Sequence, residues 1–356
     1  MVRGVLRAGD VGSARLPRAG IHRVLVCRFV HTLGDSLTLT PLLAELADVY
    51  PGAEVDVVSG CPVADALYGA FPNVSTIHRL PQHVAGHVLA SACTWRDMRR
   101  KRYDLVIDPD PESQSGRLLA LSAHATYSLG YVGPKKSGTL THGVAIPAHL
   151  RHKAMIPVYL LRAAMGEEPS ARPYPQPDLR LTTAERKAGR QTMHRLFSCD
   201  AHPSTAATPR IAIFANATRD KLFAHDWWQT FIDTLRDRIP GCELLEILPA
   251  FGKSMLGERF PCFYSSNVRK LGAVIANLDA YISADCGVMH LAWACGTPVV
   301  GLFRVTDPQE WGPFGPHMAS LMLDGAPAAD VAGRTIERLG LRTWLPARTK
   351  TTMRSS

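Results

Sequence analysis

The sequence predicts an α/β protein built as two halves, each a parallel sheet with helices on both faces. Three observations predict it. Apolar runs of strand length alternate with segments of helical periodicity from Val24 onward. A segment with four prolines between Pro169 and Pro177 interrupts the alternation near the middle of the chain. The alternation then restarts at Ile211. With 356 residues and an apolar fraction of 46%, the chain is long enough to give each half its own core.

In the first half, Val24 to Cys27 is a short buried strand that stops at Arg28. Leu37, Leu39, Leu42, Leu43, Leu46 and Val49 then recur at helical spacing until Tyr50-Pro51-Gly52 ends the helix, which puts Asp35 at or near its N-cap. Val55 to Ser59 reads as a strand, Val63 to Ala70 as a short helix and Val74 to Leu80 as a strand. His83 to Arg102 is helical in part. Tyr103 to Asp108 and Thr126 to Tyr131 are further strands, and His152 to Met165 is a helix. In the second half, Thr182 to Phe197 is a mostly polar helix before a breaker-rich loop ending at Pro209. Ile211 to Ala215 (strand), Trp227 to Arg238 (helix), Leu244 to Leu248 (strand) and Arg269 to Leu278 (helix) follow. A strand-helix-strand unit, Ala280 to Ala284, Val288 to Cys295 and Pro298 to Phe303, comes next, and a helix near Ala329 to Leu339 closes the pattern.

These elements divide the chain into a mobile tail (1–20), a first domain (21–168), a linker (169–208), a second domain (209–345) and a tail (346–356). Sheets of this kind bind ligands outside the carboxyl ends of their strands, so a central cleft is expected to collect the turns at Asp35 and Asp285.

Composition narrows the function. The eight cysteines are scattered, with no C-x-x-C pair, which points to a reducing compartment and no structural zinc. A net charge of +9 favours acidic partners. The basic residues are dispersed and no aromatic residues alternate with them, which argues against nucleic acid. The first twenty residues lack a signal-peptide apolar core, and no run reaches the ~20 apolar residues needed to span a bilayer. No glycines are spaced G-x-G and no Walker A pattern is present, so redox and ATPase readings lose their main support.

The candidate chemistry sits at strand ends. Asp35, after a buried strand, reads either as a general base or as a plain N-cap. Thr218, Arg219 and Lys221, after Ile211 to Ala215, offer a hydroxyl and two cations to a diphosphate, or form a solvated loop. The turn Asp285-Cys286-Gly287 leads from a strand into a helix at Val288, which points backbone N–H groups and the positive end of the helix dipole at a bound anion. Asp285 is the natural cap of that helix, and His290 on its apolar face reads as a core residue. Cys286 has no visible partner for a nucleophilic role. Asp108 and Asp110, spaced D-x-D, read as a loop cap.

Five stretches in order resemble the heptosyltransferase-like glycosyltransferases of family nine, which have the GT-B fold of two Rossmann-like, doubly wound domains. They are HTLGDSLTLTPLLAELADVYPGAEVDVV, YDLVIDPDPESQSGRLLALSA with LGY, NATRDK, DCGVMHLAWACGTPVVGLF and TDPQEWGPFGP. The resemblance implies transfer of a heptose or related sugar from an ADP-sugar donor to an acceptor hydroxyl, with inversion. Asp35 would be the base, and Lys221 and Thr218 would hold the diphosphate with Arg219 beside them. Asp285, Cys286, Gly287, Val288 and His290 would line the donor site. No cofactor is implied, and no metal is strictly required.

The sequence departs from the family pattern at Cys286, where a Thr is usual, and at Arg304, which adds a cation beside the donor pocket. The expected partners are a nucleotide sugar and a glycan, lipid-linked or other hydroxyl acceptor, with peripheral contact at an anionic membrane surface and no nucleic acid. The expected compartment is the cytoplasm. His78 to Trp95 and Gly133 to Gly143 are the expected acceptor surface. A sugar-nucleotide epimerase of the same fold and a non-catalytic sugar-nucleotide binder are the alternatives.

Overall fold

The computed structural model describes residues 15–80, 95–197 and 208–341. The expectations for most of both tails and for 81–94 of the acceptor surface therefore lie outside the described residues. The chain forms two compact units, residues 1–181 with 309–311, and residues 182–308 with 312–356.

In the first unit, β1 (Arg23–Cys27), β2 (Glu54–Ser59), β3 (Val74–Arg79), β4 (Tyr103–Asp108), β5 (Ala125–Val132) and β6 (His142–Ala145) form one parallel sheet in the order β3-β2-β1-β4-β5-β6. Leu25, Cys27, Val58, Tyr103 and Val106 form part of its core, as the near-continuous apolar runs of a doubly covered parallel sheet require. The order reverses between β1 and β4, so the chain emerging from these two strands frames a ligand crevice. Arg28 follows β1, and Pro109 and Asp110 follow β4.

The helix expected from Leu37 to Val49 is two helices, α1 (Leu33–Leu37) and α2 (Thr40–Val49), with Pro41 in the first turn of α2. Proline is favoured where a helix begins and has no N–H to lose there, so the apolar periodicity runs on through a break it cannot reveal. Asp35 consequently lies inside α1, and Thr32 is the N-cap. The unit continues through α3 (Ala64–Tyr68), the helical residues 95–100 (α4), α5 (Gln114–Ser122) and α6 (Ile156–Ala164). The buried Arg162 of α6 bonds Glu45 of α2 at 2.7 and 3.0 Å and donates to the carbonyls of Pro169, Arg172 and Pro173. The proline segment is thereby fastened to the first unit.

Beneath this sheet Asp56, 4% exposed, accepts from Lys101 Nζ at 2.7 Å and the Tyr103 hydroxyl at 2.8 Å, with His78 Nε2 at 3.3 Å. Burial acts to raise its pKa, but the bonds from His78, Lys101 and Tyr103 outweigh it and lower the value from 3.8 to about 2. A folded value below the unfolded one stabilises the fold above pH ~4, and that contribution is lost as pH falls towards about 2. Asp56→Asn is expected to cost on the order of 2 kcal/mol at neutral pH, less where the partly exposed Lys101 end is screened, and to flatten the acid limb of stability measured by urea unfolding. An unchanged acid limb would contradict this assignment.

The second unit repeats the topology. β7 (Arg210–Phe214), β8 (Glu243–Ile247), β9 (Cys262–Phe263), β10 (Ala280–Ala284), β11 (Val299–Phe303) and β12 (Met318–Met322) are parallel, in the order β12-β11-β10-β7-β8-β9. The order reverses between β7 and β10. Its helices are α7 (Thr183–Phe197), α8 (His225–Arg238), α9 (Val268–Ile275), α10 (Gly287–Ala294) and α12 (Ala328–Arg338), while α11 (Pro308–Trp311) belongs to the first unit from Gln309 on. Trp228, Phe231, Ile282 and Val300 are in its core.

Helix α7, expected within the linker, packs on α9 in this unit. Gly189 makes that approach feasible, because a Cβ there would overlap the Ala273 carbonyl. Gly189→Ala is therefore expected to destabilise the protein by about 1–3 kcal/mol in denaturant unfolding, as overpacking does. No loss would mean that α7 and α9 separate without cost.

Candidate functional site

In the second unit the polar residues converge on the carboxyl ends of β7 and β10, the two strands at the reversal. After β7 the chain passes Asn216 and Ala217 into a single 3-10 turn, Arg219–Lys221, whose N-cap is Thr218. Thr218 and Arg219 are exposed and Lys221 is half-buried. Arg219 has φ 50°, a left-handed conformation uncommon for a residue with a Cβ. Such local strain clusters at ligand-binding turns. The turn delivers the Lys221 ammonium to Asp285 Oδ2 at 2.6 Å.

Asp285 follows β10 and is buried. Besides Lys221 it accepts from the hydroxyl of Thr306, in the loop after β11. The expectation that Asp285 caps the following helix is corrected: the N-cap of α10 is Cys286, in extended conformation at φ −160°, and no side chain caps the helix. The Asp285 carboxylate is committed to Lys221 and Thr306 instead. Gly287 and Val288, in the first turn of α10, present amides that have no partner inside the helix, just after the Asp285 that holds Lys221.

Burial pushes the Cys286 thiol up, outweighing the Ser283 hydroxyl and the amides of Met289 and Val288 that favour the thiolate. The thiol is accordingly held in its protonated form, which argues against a nucleophilic role. His290 is buried, with its ring 6.2 Å from that of Trp293, whose indole N–H donates to the Phe314 carbonyl. Arg304 donates to the Leu222 carbonyl at 2.7 Å and lies 5.3 Å over the Phe223 ring, so it braces the segment that carries Lys221.

Asp35 belongs to the first unit. Its carboxylate Oδ2 accepts from the Thr32 hydroxyl at 2.5 Å, and the same oxygen of Thr32 accepts from the Asp35 amide at 3.2 Å. Thr32 thus caps the helix and fixes the carboxylate. Asp35 opens onto a cavity of 340 Å³ that Arg28, Asp110, Lys153 and Trp311 also line. Asp110 accepts from the amides of Glu112 at 2.8 Å and Ser113 at 3.0 Å, the loop cap that its position implies. Burial acts to raise its pKa, but the Arg28 charge and these amides outweigh it and hold it below the ordinary range. Asp108 is buried between Arg117 at 2.9 Å and Lys136 at 2.8 Å, which leaves the D-x-D pair divided between two structural tasks.

Lys136 is drawn from the expected acceptor segment Gly133 to Gly143 into that ion cluster. The cavity beside Asp35 is walled instead by residues that sequence spacing does not single out. Thr32 was legible in principle, since Thr followed three residues later by Asp is a capping pattern. Arg28 and Lys153 carry no local signal, and Trp311 lies in the resembling stretch TDPQEWGPFGP without being singled out there.

Two six-stranded parallel units with this strand order define the GT-B architecture. Solved structures bear out the fold. A glycosyltransferase of family 9 from Veillonella parvula superposes with a TM-score of 0.73 at 16% identity, covering 91% of this chain and 99% of its own. E. coli heptosyltransferase WaaC with ADP gives 0.65 at 18% identity, covering 89% and 99%. E. coli ADP-heptose LPS heptosyltransferase II gives 0.66 at 17% identity, covering 90% and 98%. No curated protein matches the chain.

Residues 265–337 match the model of glycosyltransferase family 9 (heptosyltransferase), a span that takes in two of the five resembling stretches and the whole Asp285 to Arg304 turn region. The second unit thus carries a family-nine glycosyltransferase signature on a GT-B fold.

Proposed function

We propose that the chain is an inverting glycosyltransferase that moves a heptose or related sugar from an ADP-sugar to a hydroxyl of a glycan or lipopolysaccharide-type acceptor. The observation that carries the reading is the meeting of Lys221 and Asp285 at adjacent strand ends, with the uncapped N-terminus of α10 following Asp285, inside and beside the stretch that matches the family. The similarity in fold to heptosyltransferase structures solved with ADP and with ADP-2-deoxy-2-fluoro heptose supports the choice of donor.

In this reading the diphosphate lies against Lys221, Thr218 and the amides of Gly287 and Val288, with Arg219 at the rim. Negative charge grows on the departing diphosphate while the sugar acquires cationic character. Preorganised N–H groups and an ammonium are most useful where that charge develops. Asp285 keeps Lys221 in place, and Arg304 holds the segment behind it. Asp35, oriented by Thr32, takes the proton of the attacking hydroxyl. Because diphosphate is a good leaving group, one base without a paired acid suffices. The leaving-group role falls on Lys221 and the helix amides rather than on a metal.

The same reading places the work in the cytoplasm. None of the described helices is long and apolar enough to cross a membrane, and contact with an anionic surface is a role for the net charge of +9. The test is thermal stability of the full chain against a panel of nucleotide sugars. A bound donor raises the melting temperature with RT ln(1 + [L]/Kd), and an ADP-sugar is expected to give the largest rise. A flat panel, or a UDP-sugar ahead of every ADP-sugar, would overturn the donor assignment.

A further inference from the structure

We infer that the outer face of α5, with Trp95 beside it, is a docking surface for an anionic lipid bilayer: its leucines and indole enter the interface and a basic rim meets the headgroups. This gives a place to the membrane contact of the proposed function and rests on that part of it.

Helix α5 has an inverted pattern. Arg117 is 1% exposed, while Leu118 and Leu121, one turn apart on the outer face, are 62% and 40% exposed. Trp95, at the start of α4, is 43% exposed, and its indole N–H donates to the Ser122 hydroxyl at 2.8 Å. From the β5–β6 connection, Gly138 lies so close to Leu121 that a Cβ there would overlap its side chain, and Gln114 of α5 bonds Ser137 at 2.6 Å. The three apolar side chains therefore share one surface of the first unit, and an apolar patch with a polar rim marks a contact site.

The rim is basic. Arg99 lies 5.4 Å over the Trp95 ring, and the exposed Arg100 and Arg102 follow it. Arg96 is offset by Asp97 at 3.9 Å and Lys101 is taken by Asp56, so Arg99, Arg100 and Arg102 have no ion-pair partner among the described residues. Lys135, on the connection that reaches Leu121, is exposed and paired with the equally exposed Glu112 at 3.1 Å.

An apolar centre with a cationic rim selects the occupant. A second copy on the same face would set Arg99 and Arg100 against their own counterparts. Nucleic acid would leave the leucines nothing to pack on, and one indole is not a stacking platform. An anionic bilayer takes every part: tryptophan favours the interfacial depth, leucine the acyl boundary and arginine the headgroups. Ser113, the N-cap of α5, also lines the cavity beside Asp35, so docking holds that cavity close to the bilayer.

The experiment is co-sedimentation of the full chain with vesicles of phosphatidylcholine alone and of phosphatidylcholine with one-third phosphatidylglycerol. The wild type is expected to bind the anionic vesicles about tenfold or more tighter than the neutral ones, and less tightly as salt rises. Leu118→Ser with Leu121→Ser, and separately Arg99→Glu with Arg100→Glu, should each weaken that binding by about tenfold or more. Lys187→Glu with Lys253→Glu changes the net charge equally, in the second unit, and should cost less than about threefold. Every substituted side chain is exposed, which leaves both cores intact. Equal binding to the two vesicles, a loss in the lysine variant as large as in the arginine variant, or binding untouched by the leucine changes overturns the inference. So does self-association that the leucine changes abolish in a chain that ignores vesicles.

ADP-sugar binding measured in parallel keeps the two readings apart. A chain that binds anionic vesicles through this face but no nucleotide sugar keeps the surface and loses the transferase reading. One that binds the nucleotide sugar but no vesicle does the reverse.

Discussion

Replacing Asp35 with Asn is expected to lower the rate of sugar transfer by about 10²–10⁴-fold, the range that a positioned general base contributes, while the Kd for the nucleotide sugar stays within about twofold of wild type. The argument is geometric. Asp35 sits in α1 just beyond β1, at the strand reversal, and its carboxylate opens onto a cavity that two cations, Arg28 and Lys153, also line. Asn keeps the shape and still accepts from Thr32, so a loss of rate would report the missing basicity rather than a collapsed turn. Thr32→Val should give a smaller loss, because the carboxylate remains but its orientation is freed. Because every residue proposed for the donor side belongs to the second unit, donor binding is the internal control. Full activity in Asp35→Asn would remove the base assignment and return Asp35 to a purely structural place in α1.

The second large effect is expected at Lys221. Lys221→Met should reduce kcat/KM by about 10²–10³-fold, the size seen when one preorganised stabiliser of developing charge is removed. ADP binding should weaken as well. The ammonium is 27% exposed and its partner Asp285 only 6%, so the positive end is the one that incoming phosphate can reach. Asp285→Asn is expected to act through Lys221 and Thr306, by loosening both, and to be milder than Lys221→Met in ADP affinity. Unchanged ADP affinity in Lys221→Met would mean that the diphosphate lies elsewhere.

Much of this arrangement is legible in the sequence, and the illegible parts have physical reasons. Strands buried along most or all of their length, such as β1, β4, β10 and β11, announce themselves as short apolar runs, and their alternation with helices implies parallel sheets. Helix α5 does not announce itself, because its pattern is inverted: Leu118 is 62% exposed while Arg117 is 1% exposed and bonded to Asp108. Strand β9 has two residues, too few for any period, and β12 is mostly half-buried.

At the site, Asp35 and Asp285 are marked by their place after apolar runs. Their true commitments are not, because Lys221, Thr306 and Thr32 were each free to bond elsewhere on spacing alone. Arg28 reads as the polar end of a strand, and only the fold turns it into a buried cation. Lys153 and Trp311 are far apart in the chain, a pairing that no local pattern encodes. The family resemblance supplied roles that spacing left open, and the match over residues 265–337 supports it most directly around Asp285.

The central claim is sugar transfer from a nucleotide donor. Its most direct test is phosphorus NMR of the full chain with ADP-heptose, followed with and without a candidate acceptor. The account predicts ADP release that depends on the acceptor, vanishes in Asp35→Asn and yields a glycoside of inverted anomeric configuration. Conversion of the nucleotide sugar to an epimer without any acceptor, or ADP release indifferent to both acceptor and Asp35, would contradict it.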